Sequence, residues 1–190
     1  MEALIRKIES EGRALNDQVL LVDGFLNHQV DPRLMDEIGR EFARRCGRYA
    51  PTRVATIESS GIAPAQMTAL YMDLPLVIMK KSPSRILKEG TLSTEVFSFT
   101  KNAAYQLTVK RDFIRPGDRV LVIDDFLAAG EAAMGASRLI EMAGARVACV
   151  GIVIEKSFQA GRGLLDGAGL PVESLARVMR MAPGRIEFLR

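Results

Sequence analysis

Val120-Leu-Val-Ile-Asp-Asp-Phe-Leu-Ala-Ala-Gly-Glu-Ala-Ala133 is the stretch whose reading decides the fold. Four branched apolar residues form a fully buried strand, and the last residues open a helix that runs towards Met142. Between them stand two adjacent carboxylates, Asp124 and Asp125, at the carboxyl end of a central strand, where open α/β sheets place their ligands. Consecutive strand residues point to opposite faces, so the pair does not form a shared-proton dyad. It suits vicinal hydroxyls, or a hydroxyl and a metal's water shell. The small residues Ala128-Ala-Gly130 let a ligand approach the backbone, and the helix start directs unpaired N–H groups and a positive dipole end into the loop. A phosphate is the natural occupant. The same spacing also suits two solvated carboxylates that cap the following helix.

Outward from this stretch, strands and helices alternate. Asp31-Pro32 caps an amphipathic helix with Leu34, Ile38 and Phe42 on one stripe, ending near Gly47. Arg53 to Ile57 is a strand that stops at Glu58-Ser-Ser-Gly61, and helical spacing resumes from Ile62. Leu76 to Met79 and Arg119 to Ile123 are further strands, and Val147 to Ile154 follows a helix C-cap at Gly144. This order predicts an α/β fold with a mostly parallel sheet flanked by helices. Two alternating runs, Thr94 to Thr100 and Ala104 to Val109, predict a hairpin beside a mobile polar loop that begins at Lys80-Lys81. The segment to about Asn27 fits neither period and reads as a flap.

The chain has 190 residues, 48% hydrophobic and 26% charged, which suits one domain over 1–190 and excludes disordered or fibrous classes. A net charge of +3, spread along the chain, gives no basic stripe for nucleic acid. Cys46 and Cys149 have neither a second Cys nor a His at ligand spacing, so no disulfide framework or zinc site is expected. No secretory leader or membrane-spanning run is read, and the expectation is a cytoplasmic protein with no membrane partner.

The strand, Asp-Asp, small-residue loop and Gly resemble the phosphoribosyl-diphosphate signature of the type I phosphoribosyltransferase family, and in particular its xanthine-specific group. Leu20 through Gln29, Thr56 through Pro64, Ile123 through Ala128 and Gly151 through Gln159 carry the likeness, in order, along nearly the whole chain. The resemblance implies that Asp124 and Asp125 contact the ribose hydroxyls of phosphoribosyl diphosphate (PRPP). It implies that Ala128, Ala129, Gly130, Glu131 and Ala132 cradle the 5′-phosphate, and that Ser59, Ser60 and Gly61 hold the pyrophosphate. Ser59 and Ser60 also suit a plain helix cap. Lys156 is similar to the lysine that donates to the 6-oxo and N7 edge of an oxopurine, and Leu20 and Asn27 match positions that contact xanthine. Asn27 then selects for the 2-oxo group that hypoxanthine lacks, although Asn27-His28 also reads as a turn. Lys81 resembles the lysine of a catalytic loop closing over the pyrophosphate, and a solvated basic loop is the plainer reading of that run.

The implied reaction joins xanthine to PRPP, giving xanthosine 5′-monophosphate and diphosphate in purine salvage, with Mg²⁺ arriving largely on PRPP. About 1–30 forms a hood over the base, and a homodimer is implied. Two departures stand out: Ala129 and Ala132 replace hydroxyl donors of the general signature, and Glu131, expected to point outward, adds a carboxylate near the anion. Pro83 departs from a basic residue in the lid. Phe158 suits either base stacking or core packing. His28, with no identified carboxylate partner, is left outside the catalytic set. The alternatives are hypoxanthine or guanine as the base, or a non-catalytic purine-sensing module of the same fold, for which the chain lacks room for a winged helix before Leu20.

Overall fold

A computed structural model describes residues 1–81, 90–98 and 103–189; the predicted lid, with Pro83, lies outside the described residues. In chain order the elements are α1 (Glu2–Glu11), β1 (Arg13–Ala14), β2 (Leu20–Leu21), a π-helical turn (Asp23–Asn27), α2 (Pro32–Cys46), β3 (Arg53–Ile57), α3 (Ile62–Met72), β4 (Leu76–Met79), β5 (Thr91–Ser98), β6 (Ala103–Lys110), β7 (Arg119–Leu127), α4 (Glu131–Met142), β8 (Arg146–Lys156), α5 (Gly161–Gly167), β9 (Val172–Ala182) and β10 (Arg185–Phe188). The main sheet has the order β10-β9-β8-β7-β3-β4, parallel throughout except for the β9–β10 hairpin at one edge.

Alternation along β7 explains the layers. Leu121 and Ile123 face the side covered by α2 and α3, where they meet Ile38, Phe42, Ala65 and Ala69. Val120 and Val122 face the other side and pack with Ala136, Leu139 and Ile140 of α4. The sheet is buried on both faces, as near-continuous apolar runs require. At the entry to α2 the Asp31 carboxylate accepts from Arg33 N and Leu34 N at 3.0 and 3.1 Å, as the Asp-Pro start predicts. Hairpin β5–β6 lies on α4 and joins the sheet through the Lys80–Thr108 bridge next to β4.

Three expectations need correction. Strand β7 does not stop at Ile123: it continues to Leu127, and Asp124, Phe126 and Leu127 pair with Ile152, Ile154 and Glu155 of β8. The N-terminal segment is more than a flap, because α1 buries Leu4 and Ile8 in the core on the α2 side. Only β1 and β2, joined antiparallel, and the π-helical turn form the hood-like part. Phe158 is not core, being 38% exposed. The sequence reading also left β9 and β10 unassigned.

Candidate active site

Because β7 stays a strand through the acidic pair, its two carboxylates straddle the sheet. Asp124 is buried and points to the side that holds Lys81 and Tyr105. Asp125 is half-buried and faces the hood side, where it shares a cavity of about 530 Å³ with Lys156, Phe126, Ala128, Ala129, Leu20, Gln18, Val19 and Gln159. Burial, together with the charge of Asp125, holds the Asp124 carboxyl well above the usual carboxylate range, and the Lys81 charge opposes this. Neither carboxylate caps α4. Among the described residues they accept from neighbouring backbone, Asp125 N on Asp124 Oδ1 at 3.1 Å and Phe126 N on Asp125 Oδ1 at 2.9 Å.

That leaves the start of α4 open. Its cap is Gly130, at φ +91°, with no side-chain cap bond, so the first amides of the helix have no side-chain acceptor. Ala128 and Ala129 are half-buried and line the cavity, and Glu131 and Ala132, both half-buried, begin the helix. The loop is built from backbone donors alone.

A second strand-to-helix turn lies beside it. Gly61 caps α3, again with no side-chain cap bond, so neither Ser59 nor Ser60 acts as the helix cap. A Cβ on Gly61 would stand 3.2 Å from Asp124 Oδ1 and overlap Thr56 Oγ1, so the turn can close on the buried carboxylate only with glycine there. The Glu58–Ser59 peptide before it is cis. Glu58, which sequence reasoning passed over, fastens this turn to the end of β4. Its Oε1 accepts from Lys81 N at 2.7 Å and its Oε2 pairs with Lys80 Nζ at 3.0 Å. Burial opposes ionisation of Glu58, and the two lysines hold its carboxyl below the ordinary value. Lys81 Nζ lies 5.8 Å from the Tyr105 ring centroid, exposed at the rim.

In the cavity, Lys156 Nζ donates to Gln18 O at 2.6 Å and sits 5.2 Å from the Phe126 ring centroid. Burial pushes its ammonium below the ordinary lysine value, and the nearby Asp125 charge opposes that. Gln159 Nε2 donates to Gln18 Oε1 at 2.8 Å, tying the turn after β8 to the hood. Leu20 is buried against the cavity, whereas Asn27 is exposed at the end of the π-helical turn and is not among the residues that line it. Lys156, Leu20, Asp125, Ala128 and Ala129 are thus brought together; Asp124, Gly61 and Lys81 gather on the other side of β7. Phe126, Gln18 and Gln159 went unread. The first sits directly after the acidic pair, and that adjacency was its signal.

A six-stranded sheet of this order, with an acidic pair on its central strand facing two open helix starts, defines a type I phosphoribosyltransferase. The solved adenine phosphoribosyltransferase from Rhodothermus marinus superposes with a TM-score of 0.74 at 27% identity, covering 94% of this chain and 100% of that one. Xanthine phosphoribosyltransferase of an Exiguobacterium species is 56% identical over 189 residues, covering 100% of this chain and 98% of its own. Xanthine phosphoribosyltransferase 1 of Clostridium botulinum is 55% identical over the full length of both chains. No protein-family model matches the sequence. The chain belongs to the xanthine phosphoribosyltransferase family.

Proposed function

We propose that this protein transfers the 5-phosphoribosyl group of PRPP to N9 of xanthine, releasing diphosphate and xanthosine 5′-monophosphate. The carrying observation is the single cavity that holds Lys156, Asp125 and the Ala128–Ala129 loop. It offers donors for an oxopurine, an acceptor for ribose hydroxyls and backbone for a phosphate at adjoining positions. An ammonium presents donors and no acceptor, which suits a 6-oxo group and disfavours the amino group of adenine.

In the reaction the N9–C1 bond forms as the C1–oxygen bond breaks, diphosphate leaves with the electron pair, and the imidazole-ring proton of xanthine passes to water or the departing diphosphate. No protein nucleophile is required. Asp125 orients the ribose from the hood side, and Asp124 lies beneath it next to the Ser59-Ser60-Gly61 turn, whose backbone amides receive the leaving group. Lys81, at the rim, balances charge on the diphosphate. Carboxylates beneath the sugar favour the positive charge that develops on it. Among the described residues no group of three or more His, Cys, Asp or Glu could hold a metal ion. The oxygen donors present, Asp124 and Asp125, fit a Mg²⁺ that is bound chiefly by substrate phosphates and water, and when bound that ion neutralises diphosphate charge.

The whole chain then acts as one domain, with β1, β2 and the π-helical turn as the hood, in the cytoplasm. No helix among the described residues is long and apolar enough to cross a membrane. A homodimer completes this reading; an apolar groove beside Lys80 supports it. A broader oxopurine preference is the second reading, favoured by the position of Asn27 outside the cavity. Nucleotide formation from xanthine, hypoxanthine, guanine and adenine, each with PRPP and Mg²⁺, tests both. We expect xanthine to lead and adenine to fail. Equal rates with xanthine and hypoxanthine establish the second reading, and PRPP binding without nucleotide from any base overturns both.

A further inference from the structure

Glu155, wholly buried at the end of β8, lies outside the cavity yet gathers five hydrogen bonds. Its Oε1 accepts from Ser157 Oγ at 2.6 Å and Arg177 Nε at 3.2 Å; its Oε2 accepts from Ser174 Oγ at 2.5 Å and from Nε and a terminal nitrogen of Arg162. Arg162 also donates to Val172 O at 3.0 Å, so this side chain of α5 is fixed to both β8 and β9. The residue before it, Gly161, donates its N–H to Ala128 O at 2.9 Å. Gly161 faces Gly130 across the contact: a Cβ on Gly161 would overlap Ala128 O and stand 3.0 Å from Gly130 N, and one on Gly130 would stand 3.1 Å from Gly161 Cα.

We infer that Gly161, anchored through Arg162 to the buried Glu155, is a positioning residue that sets the backbone of the 128–130 loop for the 5′-phosphate of PRPP. The inference rests on the phosphoribosyltransferase reading above. The loop carries no side-chain donors to choose its own geometry, since Ala128, Ala129 and Gly130 have none. Its shape is therefore set from outside, by the backbone it leans on. Ionisation of Glu155 is secured for this purpose: burial opposes it, but the bonds from Arg162, Ser157 and Ser174 hold its carboxyl down to about 2.

Gly163 provides the matched control. It lies two residues further along α5, and a Cβ there would meet nothing within 4 Å. The test compares full-length wild type, Gly161→Ala and Gly163→Ala by calorimetric titration with Mg²⁺–PRPP and by initial rates with each substrate varied in turn. Gly161→Ala should weaken PRPP binding and raise its KM about tenfold or more, while the xanthine KM moves less than about threefold, because a small displacement of a phosphate-holding backbone is costly. Gly163→Ala should stay within about twofold of wild type on both. Should Gly161→Ala fail to fold, Arg162→Lys, which keeps the charge and loses the fork, should shift the same KM in the same direction. Unchanged PRPP binding in the folded variant, or equal loss for both substrates, overturns the inference. A wild-type protein that binds no PRPP overturns the functional reading and this inference with it.

Discussion

Asp124 and Asp125 are adjacent in sequence and opposite in surroundings. Asp124 is 9% exposed and sits against Gly61, while Asp125 opens to the cavity of Lys156. Burial, reinforced by its neighbour's charge, raises the Asp124 pKa from the ordinary value of 3.8. In the window that begins at 3.8 and extends upward, the folded protein holds a proton that the unfolded chain has released, so stability falls as pH rises through it. Asp124→Asn removes that penalty. We expect its Tm to exceed wild type by about 3 °C at pH 7, and the gain to vanish below the ordinary value, as thermal melts across pH would show. Activity should fall about 100-fold, because an amide, unlike the carboxyl, cannot ionise when positive charge develops on the sugar above it. A variant no more stable than wild type at pH 7 contradicts the assignment. The acidic pair was legible in the sequence because strand alternation already separates two consecutive side chains. Glu58 and Glu155 were not legible. Each sits at the end of a strand whose apolar run attracts the attention, and their partners are 22 or more residues away for Lys80, Lys81 and Arg177 and nearer only for Arg162, Ser157 and Ser174.

At the scale of elements, the junction of β8, α5 and β9 is held by charge in a place where β7 and α4 are held by apolar packing. Glu155 stabilises the fold above its unfolded value of 4.5, and this contribution is lost as pH falls towards about 2. Glu155→Gln leaves Arg162 and Arg177 without their counter-charge, so it should cost about 3–5 kcal/mol at pH 7. The deficit should shrink between 4.5 and about 2, where wild type also loses the charge. Urea unfolding at several pH values measures it, and a deficit independent of pH contradicts the network. The same junction explains what sequence periodicity missed. Strand β9 carries Glu173, Ser174, Arg177 and Arg180 among its apolar residues, because one part of it pairs with Glu155 and Arg162 while another reaches solvent. Its alternation is broken by those contacts. By contrast β3, β7 and β8 are apolar runs largely buried on both faces, β4 is an apolar edge run with every second residue buried, and α2 has a capped amphipathic stripe; these were readable without a partner. Helix α1 was obscured because only Leu4 and Ile8 of its short length are buried among five charged residues.

For the whole molecule, the open side of the sheet is the informative feature. Strand β4 ends the order at one edge, and beside it Leu76, Val77 and Ile78 line a groove of about 390 Å³ with Val109, Lys80 and Phe113. Phe113 is 55% exposed, and Leu70 of α3 is 65% exposed. Exposed aromatic and aliphatic groups along a sheet edge serve an isologous contact well, since one surface then covers its own copy. The groove reaches Lys80, whose neighbour Lys81 stands at the rim of the diphosphate side, so association and activity are expected to be linked. Phe113→Asp places a charge at the centre of that surface and should weaken self-association about 100-fold. Sedimentation velocity at micromolar protein should then show wild type as a dimer and the variant as a monomer. The specific activity of the variant should rise with protein concentration while that of wild type stays constant, the outcome expected where association supports Lys81 at the rim. A Phe113→Asp protein that remains dimeric places the interface elsewhere, and a monomer of full activity separates the groove from the reaction.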